Sequence, residues 1–140
     1  MKIMSVDLGK ARTGVAISDE SESFAFPNCV ITEYNEERLI LSLCKKADEL
    51  GAQLIVVGYP KNMDGSEGSR AKECALIAEK IKNISGKEVV LWDERCTTLS
   101  AHTVLSMNNV KSKKRKASVD AVAAVMILED YLNFRKDKTI

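Results

Sequence analysis

The chain is poor in the residues that build zinc sites, because it has one histidine and its four cysteines never form a CxxC pair. A structural zinc site needs clustered ligands, so none is expected here. We predict reduced and mostly buried thiols at the scattered positions Cys29, Cys44, Cys74 and Cys96.

Long apolar runs are also missing, since no stretch approaches the ~20 residues that a membrane-spanning helix needs. The first residues contain one lysine and then enter a strand-like run, without the apolar core and cleavage site of a signal peptide. We therefore expect a cytoplasmic protein with no membrane partner. The net charge is only +1, so any binding of nucleic acid must depend on a local basic patch.

What the chain does have is the composition of a globular protein, with 45% apolar and 29% charged residues. At 140 residues it is predicted to form a single domain spanning residues 1–140. Three strands come first, followed by helix, strand, helix, strand and two helices. Hairpin strands followed by βαβ crossovers predict an α/β fold with a mixed sheet and helices on its faces.

Apolar periodicity and turn residues place these elements along the chain. Pro27 restricts part of the third strand to a sheet edge or a bulge. Strands are predicted at Met1–Val6, Gly14–Ser18, Phe24–Thr32, Gln53–Val57 and Glu88–Trp92. Helices are predicted at Glu36–Leu50, Arg70–Ile84, Thr98–Met107 and Lys113–Phe134.

The opening stretch MKIMSVDLGKARTGVAIS carries Asp7 directly after the first predicted strand, and Lys10 and Arg12 lie in the glycine-containing turn that follows. A buried carboxylate is costly unless it is paired or bound to a cation. Two chemistries use such an arrangement: metal binding for attack on a phosphodiester, and cradling of the phosphates of ATP. A turn residue that caps the hairpin is the plain alternative.

A second acidic position follows the strand 88–92, in the stretch LWDERCTT. Ligand sites in open α/β sheets gather at the carboxyl ends of strands. We therefore expect one of these two acids, Asp93 or Glu94, to lie close to Asp7. Spacing alone does not choose between these two acids. The plain alternative is a surface pair between an acid and Arg95, which contributes little to stability.

The third acid is Asp120, near the start of the almost wholly apolar stretch ASVDAVAAVMIL. A helix that is apolar all round is a buried helix, although an acid near its start also complements the helix dipole. Acids at 7, 94 and 120 together suggest two divalent cations held for an in-line displacement at phosphorus. Oxygen ligands suit Mg²⁺ or Mn²⁺ better than zinc.

Two further segments point to phosphate binding. The run Lys113, Lys114, Arg115, Lys116 lies just before Asp120 and is expected to hold a nucleic-acid backbone, although an isolated run of this kind is usually a solvated surface. The loop VGYPKNMDGSEGSR contains Lys61 and leads into a helix whose free N–H groups suit a phosphate. This loop lacks the Walker pattern GxxxxGK[ST].

Four motifs together resemble the YqgF/RuvX family over nearly the whole chain: VDLGKARTGVAISD, VGYPKNMDGSEGSRA, VVLWDERCTT and KSKKRKASVDAVAAVMILEDYL. The resemblance implies an RNase H-like fold, with a three-strand antiparallel meander and two parallel strands, and metal-dependent phosphodiester hydrolysis. Matching the motifs position by position implies that the catalytic and metal-binding acids are Asp7, Glu94 and Asp120. It assigns Arg12 and Arg95 to the motif arginines, and Asn62, Asp64 and Gly65 to the substrate loop. Lys10 and Lys61 are expected to join them in binding nucleic acid.

The first hypothesis for function is an endonuclease that trims the precursor of 16S ribosomal RNA, as monomer or homodimer. A resolvase of four-way DNA junctions is the closest alternative, and it requires a dimer because two strands are cut symmetrically. A non-catalytic RNA-binding factor for ribosome assembly is a third possibility. Phosphotransfer from ATP is disfavoured, because a 140-residue domain lacks the second lobe that closes around the nucleotide.

Overall fold

The computed structural model describes residues 1–9, 11–59, 68–93 and 112–138, with only the helix backbone for residues 112–120, 137 and 138. The strands are β1 (Ile3–Leu8), β2 (Arg12–Ser18), β3 (Ala25–Thr32), β4 (Leu54–Tyr59) and β5 (Glu88–Asp93). The helices are α1 (Glu36–Leu50), α2 (Ser69–Ser85) and α3 (Ser112–Lys138). The predicted helix Thr98–Met107 lies outside the described residues.

The five strands form one mixed sheet in the order β3-β2-β1-β4-β5. β1 pairs antiparallel with β2, and β2 pairs antiparallel with β3. β4 lies parallel to β1, and β5 lies parallel to β4. This confirms the predicted meander of three antiparallel strands extended by two parallel strands. Because β1, β4 and β5 run in the same direction, their carboxyl ends meet at one edge of the sheet.

Two hydrophobic clusters lie on opposite faces of the sheet, because successive side chains of a strand point to opposite faces. On one face, alternate residues of β1 such as Met4 and Val6 pack with α1 and α2. On the other face, Ile3 of β1 and Val56 of β4 pack with α3. The prediction that α3 is buried is confirmed for the stretch 121–132, in which most residues are buried.

Two glycines end helices, and one proline interrupts the edge strand β3. Gly51 closes α1 in the left-handed conformation, with φ 71°, and Gly86 closes α2 in the same way with φ 70°. Pro27 lies in the edge strand β3 beside a bulge, since Val15 pairs with Cys29 and the next residue of β2 pairs with Pro27. An edge strand with proline and a bulge is a poor template for pairing with another chain.

The first strand has the predicted length of six residues but is shifted by two positions towards the C-terminus, to Ile3–Leu8. Its predicted end at Val6 was wrong, because antiparallel pairing continues through Asp7 opposite Gly14 and Leu8 opposite Thr13. Asp7 is therefore held by the sheet itself, one residue before the end of β1, and does not lie in the turn.

Among the described residues, no helix has the length and apolarity needed to cross a bilayer.

Candidate functional site

Asp7 lies at the carboxyl edge of the sheet, on the face that α3 covers. Ile3 packs with α3, and strand alternation puts Ser5 and then Asp7 on the same face. The Asp7 residue is partly buried, in contrast to the inaccessible residues 3–6 of the same strand. It is thus a carboxylate at the rim of the core, near enough to solvent to meet a ligand.

One buried hydrogen bond fixes α3 against this part of β1. The hydroxyl of Ser5 donates to the backbone carbonyl of Ala124 across 2.6 Å. At the opposite edge of the sheet, where β1 begins, the carboxylate of Glu22 accepts a hydrogen bond from Nε of Arg135. Since Arg135 comes after Ala124 in the helix, α3 runs antiparallel to β1, and its start lies towards the Asp7 edge.

The position of residue 120 follows from these contacts. It lies one helical turn, about 6 Å, before Ala124, whereas Asp7 lies two residues, about 7 Å, beyond Ser5 along β1. The two displacements point the same way, towards the carboxyl edge. The fold therefore brings the backbone of residue 120 to the level of Asp7.

A tight hairpin turn separates β1 from β2, and Gly9 is required there. A Cβ atom at position 9 would lie 2.2 Å from the carbonyl oxygen of Arg12, which no side chain tolerates. This close approach explains the glycine two residues after Asp7. The exposed Arg12 follows at the start of β2, and alternation with Gly14 and Ala16 puts it on the α3 face together with Asp7.

Trp92 and Asp93, the last two residues of β5, lie on opposite faces of the sheet. The Trp92 ring packs on the α3 face, with its centroid 5.6 Å from that of Tyr131 and 5.3 Å from that of Phe134. Asp93 is the next residue in the strand and pairs with Tyr59, so it belongs to the opposite face, on which α1 and α2 pack.

Sequence reasoning missed Arg70, in the first turn of α2. Its Nη2 atom donates to the carbonyl oxygen of Leu8 across 2.7 Å, although the two residues are 62 positions apart. Its Nη1 atom lies 3.0 Å from a carboxylate oxygen of Glu73. An arginine at the start of a helix has no distinctive sequence signal, so only the fold reveals that it reaches β1 beside Asp7.

The acids with shifted pKa lie on or near α3 and the β2–β3 turn. Burial raises the pKa of Glu129 and Asp130, and the charge of Asp130 adds to the effect on Glu129. Burial opposes the ionisation of Glu22, but the hydrogen bond and charge of Arg135 outweigh it and lower the pKa of Glu22. Hydrogen bonds from Ser21 and the backbone lower the pKa of Asp19 to about 2.

Several predicted site residues lie outside the described part of the chain. These are Lys10, Lys61, Asn62, Asp64, Gly65, Glu94 and Arg95. For Asp120 and for the basic residues Lys113, Lys114, Arg115 and Lys116, the structure describes only the helix backbone. Within the described residues, no three histidine, cysteine or acidic side chains are grouped so as to hold a metal.

The fold is that of the RNase H-like resolvases. The structure titled "T. thermophilus RuvC in complex with Holliday junction substrate" matches with a TM-score of 0.63 over 96% of each chain, at 14% identity. A fowlpox virus resolvase bound to Holliday junction DNA matches with a TM-score of 0.61, covering 95% of this chain and 97% of that one, at 11% identity. At such low identity these likenesses concern the fold alone.

The family follows from sequence. Residues 1–134 match the RuvX family model, which is described as Holliday junction resolvase, so the chain belongs to the RuvX family. A Bacillus cytotoxicus protein named "Putative pre-16S rRNA nuclease" is 40% identical over 136 residues, covering 95% of this chain and 98% of that protein. A Bacillus thuringiensis protein of the same name is 39% identical over 139 residues, with the same coverage. The resemblance inferred from the four motifs is confirmed.

Proposed function

We propose that this protein is a metal-dependent nuclease that hydrolyses phosphodiester bonds at the carboxyl edge of its sheet. The observation that carries the proposal is the bond from Ser5 to Ala124, which sets the start of α3 beside the strand end that holds Asp7. Membership of the RuvX family supports the same reaction class. The edge is also where open α/β sheets bind their ligands.

The proposed acids are Asp7, Glu94 and Asp120. Asp7 lies on the α3 face, and the helix backbone at residue 120 reaches the same level. The placement of Asp93 on the opposite face supports the proposal that the third acid is Glu94, the residue implied by the family motif. The alternation of β5 thus supplies a structural reason for a choice that spacing left open.

The donor chemistry at this edge fits a hard divalent cation. Asp7 offers carboxylate oxygens from a rigid, paired strand, and the proposed partners add carboxylates of the same kind. Such oxygens suit Mg²⁺ or Mn²⁺, and we propose two ions. When bound, the ions would activate water and stabilise the charge that develops at phosphorus. The chain's part is to hold the carboxylates fixed at the rim of the core.

Basic residues around the edge would hold the nucleic-acid backbone. Arg12 is exposed on the same face as Asp7, and the run from Lys113 to Lys116 begins α3 just before residue 120. We propose that these cations, together with Lys10, Lys61 and Arg95, contact phosphates without reading sequence. The loop that carries Asn62, Asp64 and Gly65 leads into α2 and is proposed to touch the substrate.

The proposed substrate is precursor 16S ribosomal RNA, in line with the names of the Bacillus relatives. The family description favours a second candidate, a four-way DNA junction cut by a homodimer. Both substrates are branched or structured polyanions and would use the same carboxylates. They differ in whether two active sites must act together.

A cleavage assay on both substrates tests the proposal. Purified protein would be incubated with a precursor 16S RNA fragment and with a synthetic four-way DNA junction, each with Mg²⁺, Mn²⁺ or EDTA. We expect metal-dependent cleavage of the RNA, whereas symmetric cuts in the DNA by a dimer would favour the resolvase. Binding without cleavage under every condition would contradict the proposal and favour a non-catalytic RNA-binding factor.

A further inference from the structure

Arg70 joins the first turn of α2 to the main chain of β1. One end of its guanidinium is fixed to the main chain of β1, by the 2.7 Å bond from Nη2 to the carbonyl oxygen of Leu8. Leu8 is the residue directly after Asp7 and closes β1. The guanidinium therefore lies at the carboxyl edge of the sheet, and it reaches that edge from α2, which packs on the face opposite α3.

The other end of the guanidinium has a weaker partner. Nη1 lies 3.0 Å from Glu73, whose side chain is 60% exposed, while the side chain of Arg70 is 34% exposed. An ion pair between residues three apart on an exposed helix surface contributes little and is screened by salt. A phosphate oxygen is able to replace the Glu73 carboxylate there without disturbing the bond to Leu8.

This geometry suits a phosphodiester. A guanidinium presents its donors in a rigid plane, and anchoring one nitrogen reduces the side-chain entropy lost when the other binds an anion. Of the other phosphate contacts proposed at this edge, Arg12 lies on β2 and the run from Lys113 to Lys116 lies at the start of α3, while Lys61 precedes α2 in the chain. Arg70 adds a cation on the α2 side of the same edge.

We propose that Arg70 contacts a phosphate of the bound nucleic acid, on the α2 side of the edge that carries Asp7. The inference deepens the proposed function by extending the path of the backbone across the sheet edge, from α3 to the first turn of α2. The role of Arg70 is binding, and it takes no part in the chemical step.

Binding measurements without metal test this inference separately from cleavage. Affinity for a labelled four-way DNA junction and for a labelled RNA hairpin with a single-stranded flank would be measured in EDTA, from about 0.05 to 0.3 M salt. Arg70→Gln is expected to weaken binding of the preferred probe about 3- to 10-fold and to reduce the salt slope by about one. Lys82→Gln is the matched control, because it removes the same charge from the last turn of α2.

If Arg70→Gln unfolds, two further variants still test whether Arg70 contacts a phosphate. Glu73→Gln leaves the bond to Leu8 in place and removes the competing carboxylate, so it is expected to tighten binding about twofold at low salt. Arg70→Lys keeps the charge, and it should retain the salt slope while losing part of the affinity.

The inference is overturned if Arg70→Gln and Lys82→Gln bind alike and Glu73→Gln changes nothing. A wild-type chain that binds neither probe at low salt would overturn it as well. If the wild type binds and responds to these substitutions but never cleaves, the inference stands and the proposed nuclease reaction fails. If the wild type cleaves but the substitutions have no effect on binding, the proposed nuclease reaction stands and the inference about Arg70 fails.

Discussion

The hydroxyl of Ser5 and the carbonyl of Ala124 lie 2.6 Å apart, in the interior between β1 and α3. This bond joins two elements that are 119 residues apart in the chain. It fixes the height of α3 along β1, and therefore the level of residue 120 relative to Asp7. The proposed active site depends on that alignment.

Replacing Ser5 by alanine is therefore expected to cost stability and activity together. Ser5 is inaccessible to solvent, and loss of a buried hydrogen bond costs about 1 kcal/mol. Urea denaturation followed by circular dichroism measures the stability, and the cleavage assay measures the activity. If Ser5→Ala is as stable and as active as the wild type, the bond does not align the helix.

Gly9→Ala tests the close approach in the hairpin turn. The added Cβ would lie 2.2 Å from the carbonyl oxygen of Arg12, so the turn must open, at a cost of about 1–3 kcal/mol. Gly51→Ala is the control, because the Cβ there meets open space and only the φ of 71° is unfavourable, at about 1–2 kcal/mol. We expect Gly9→Ala to impair cleavage and Gly51→Ala to leave it unchanged. Equal losses of activity would contradict this account of the turn.

Asp130→Asn is expected to stabilise the protein at neutral pH. Burial raises the pKa of Asp130 above its ordinary 3.8, and its Oδ2 atom is buried without a hydrogen-bond partner. The folded state thus binds a proton more tightly than the unfolded state. This stabilising effect is full below the unfolded pKa and is lost as the pH rises through the raised folded pKa.

Thermal unfolding at two pH values checks the sign of this effect. The melting temperature of Asp130→Asn should exceed that of the wild type by a few degrees at about pH 7.5, and the gap should narrow towards about pH 3.5. The pKa of Glu129 should also fall, because the charge of Asp130 helps to raise it. A gap that widens as the pH falls would refute the assignment of burial as the cause.

The choice between Asp93 and Glu94 is open to a direct comparison. Asp93 belongs to the face of the sheet opposite Asp7, so Asp93→Asn is expected to retain cleavage within about tenfold. Glu94→Gln is expected to lower it by about 10³-fold or more, as for a residue that acts at the reacting centre. The two variants are isosteric with the wild type and remove the same charge. The reverse order of activities would assign the third acid to Asp93.

Much of the fold could be predicted because local pattern and tertiary packing agree. The helix Glu36–Leu50 has the predicted bounds, since its apolar period ends at Gly51, which closes it. The end of β1 was missed because Asp7 interrupts an apolar run, while the pairing that extends the strand comes from β2. The last helix continues to Lys138, beyond its predicted end at Phe134. Its last turn is polar and gives no apolar period, but the ion pair between Arg135 and the distant Glu22 stabilises it.

The candidate site was less accessible to sequence reasoning. Strand alternation predicts that Ser5 and Asp7 share a face, but only the packing of α3 shows which face that is. The role of Arg70 depends on a contact between positions 62 apart, with no local signal. Long-range geometry of this kind arises from the sheet order, and a motif does not encode it by itself.

Asp7 is proposed to bind a divalent cation that cleavage requires. The most direct measurement compares cleavage of the preferred substrate by the wild type and by Asp7→Asn, across a titration of Mg²⁺ and of Mn²⁺, with melting temperatures to confirm folding. We expect Asp7→Asn to fold and its cleavage rate to fall about 10³-fold or more at every metal concentration. A folded Asp7→Asn that cleaves at the wild-type rate with the same metal dependence would contradict this proposal.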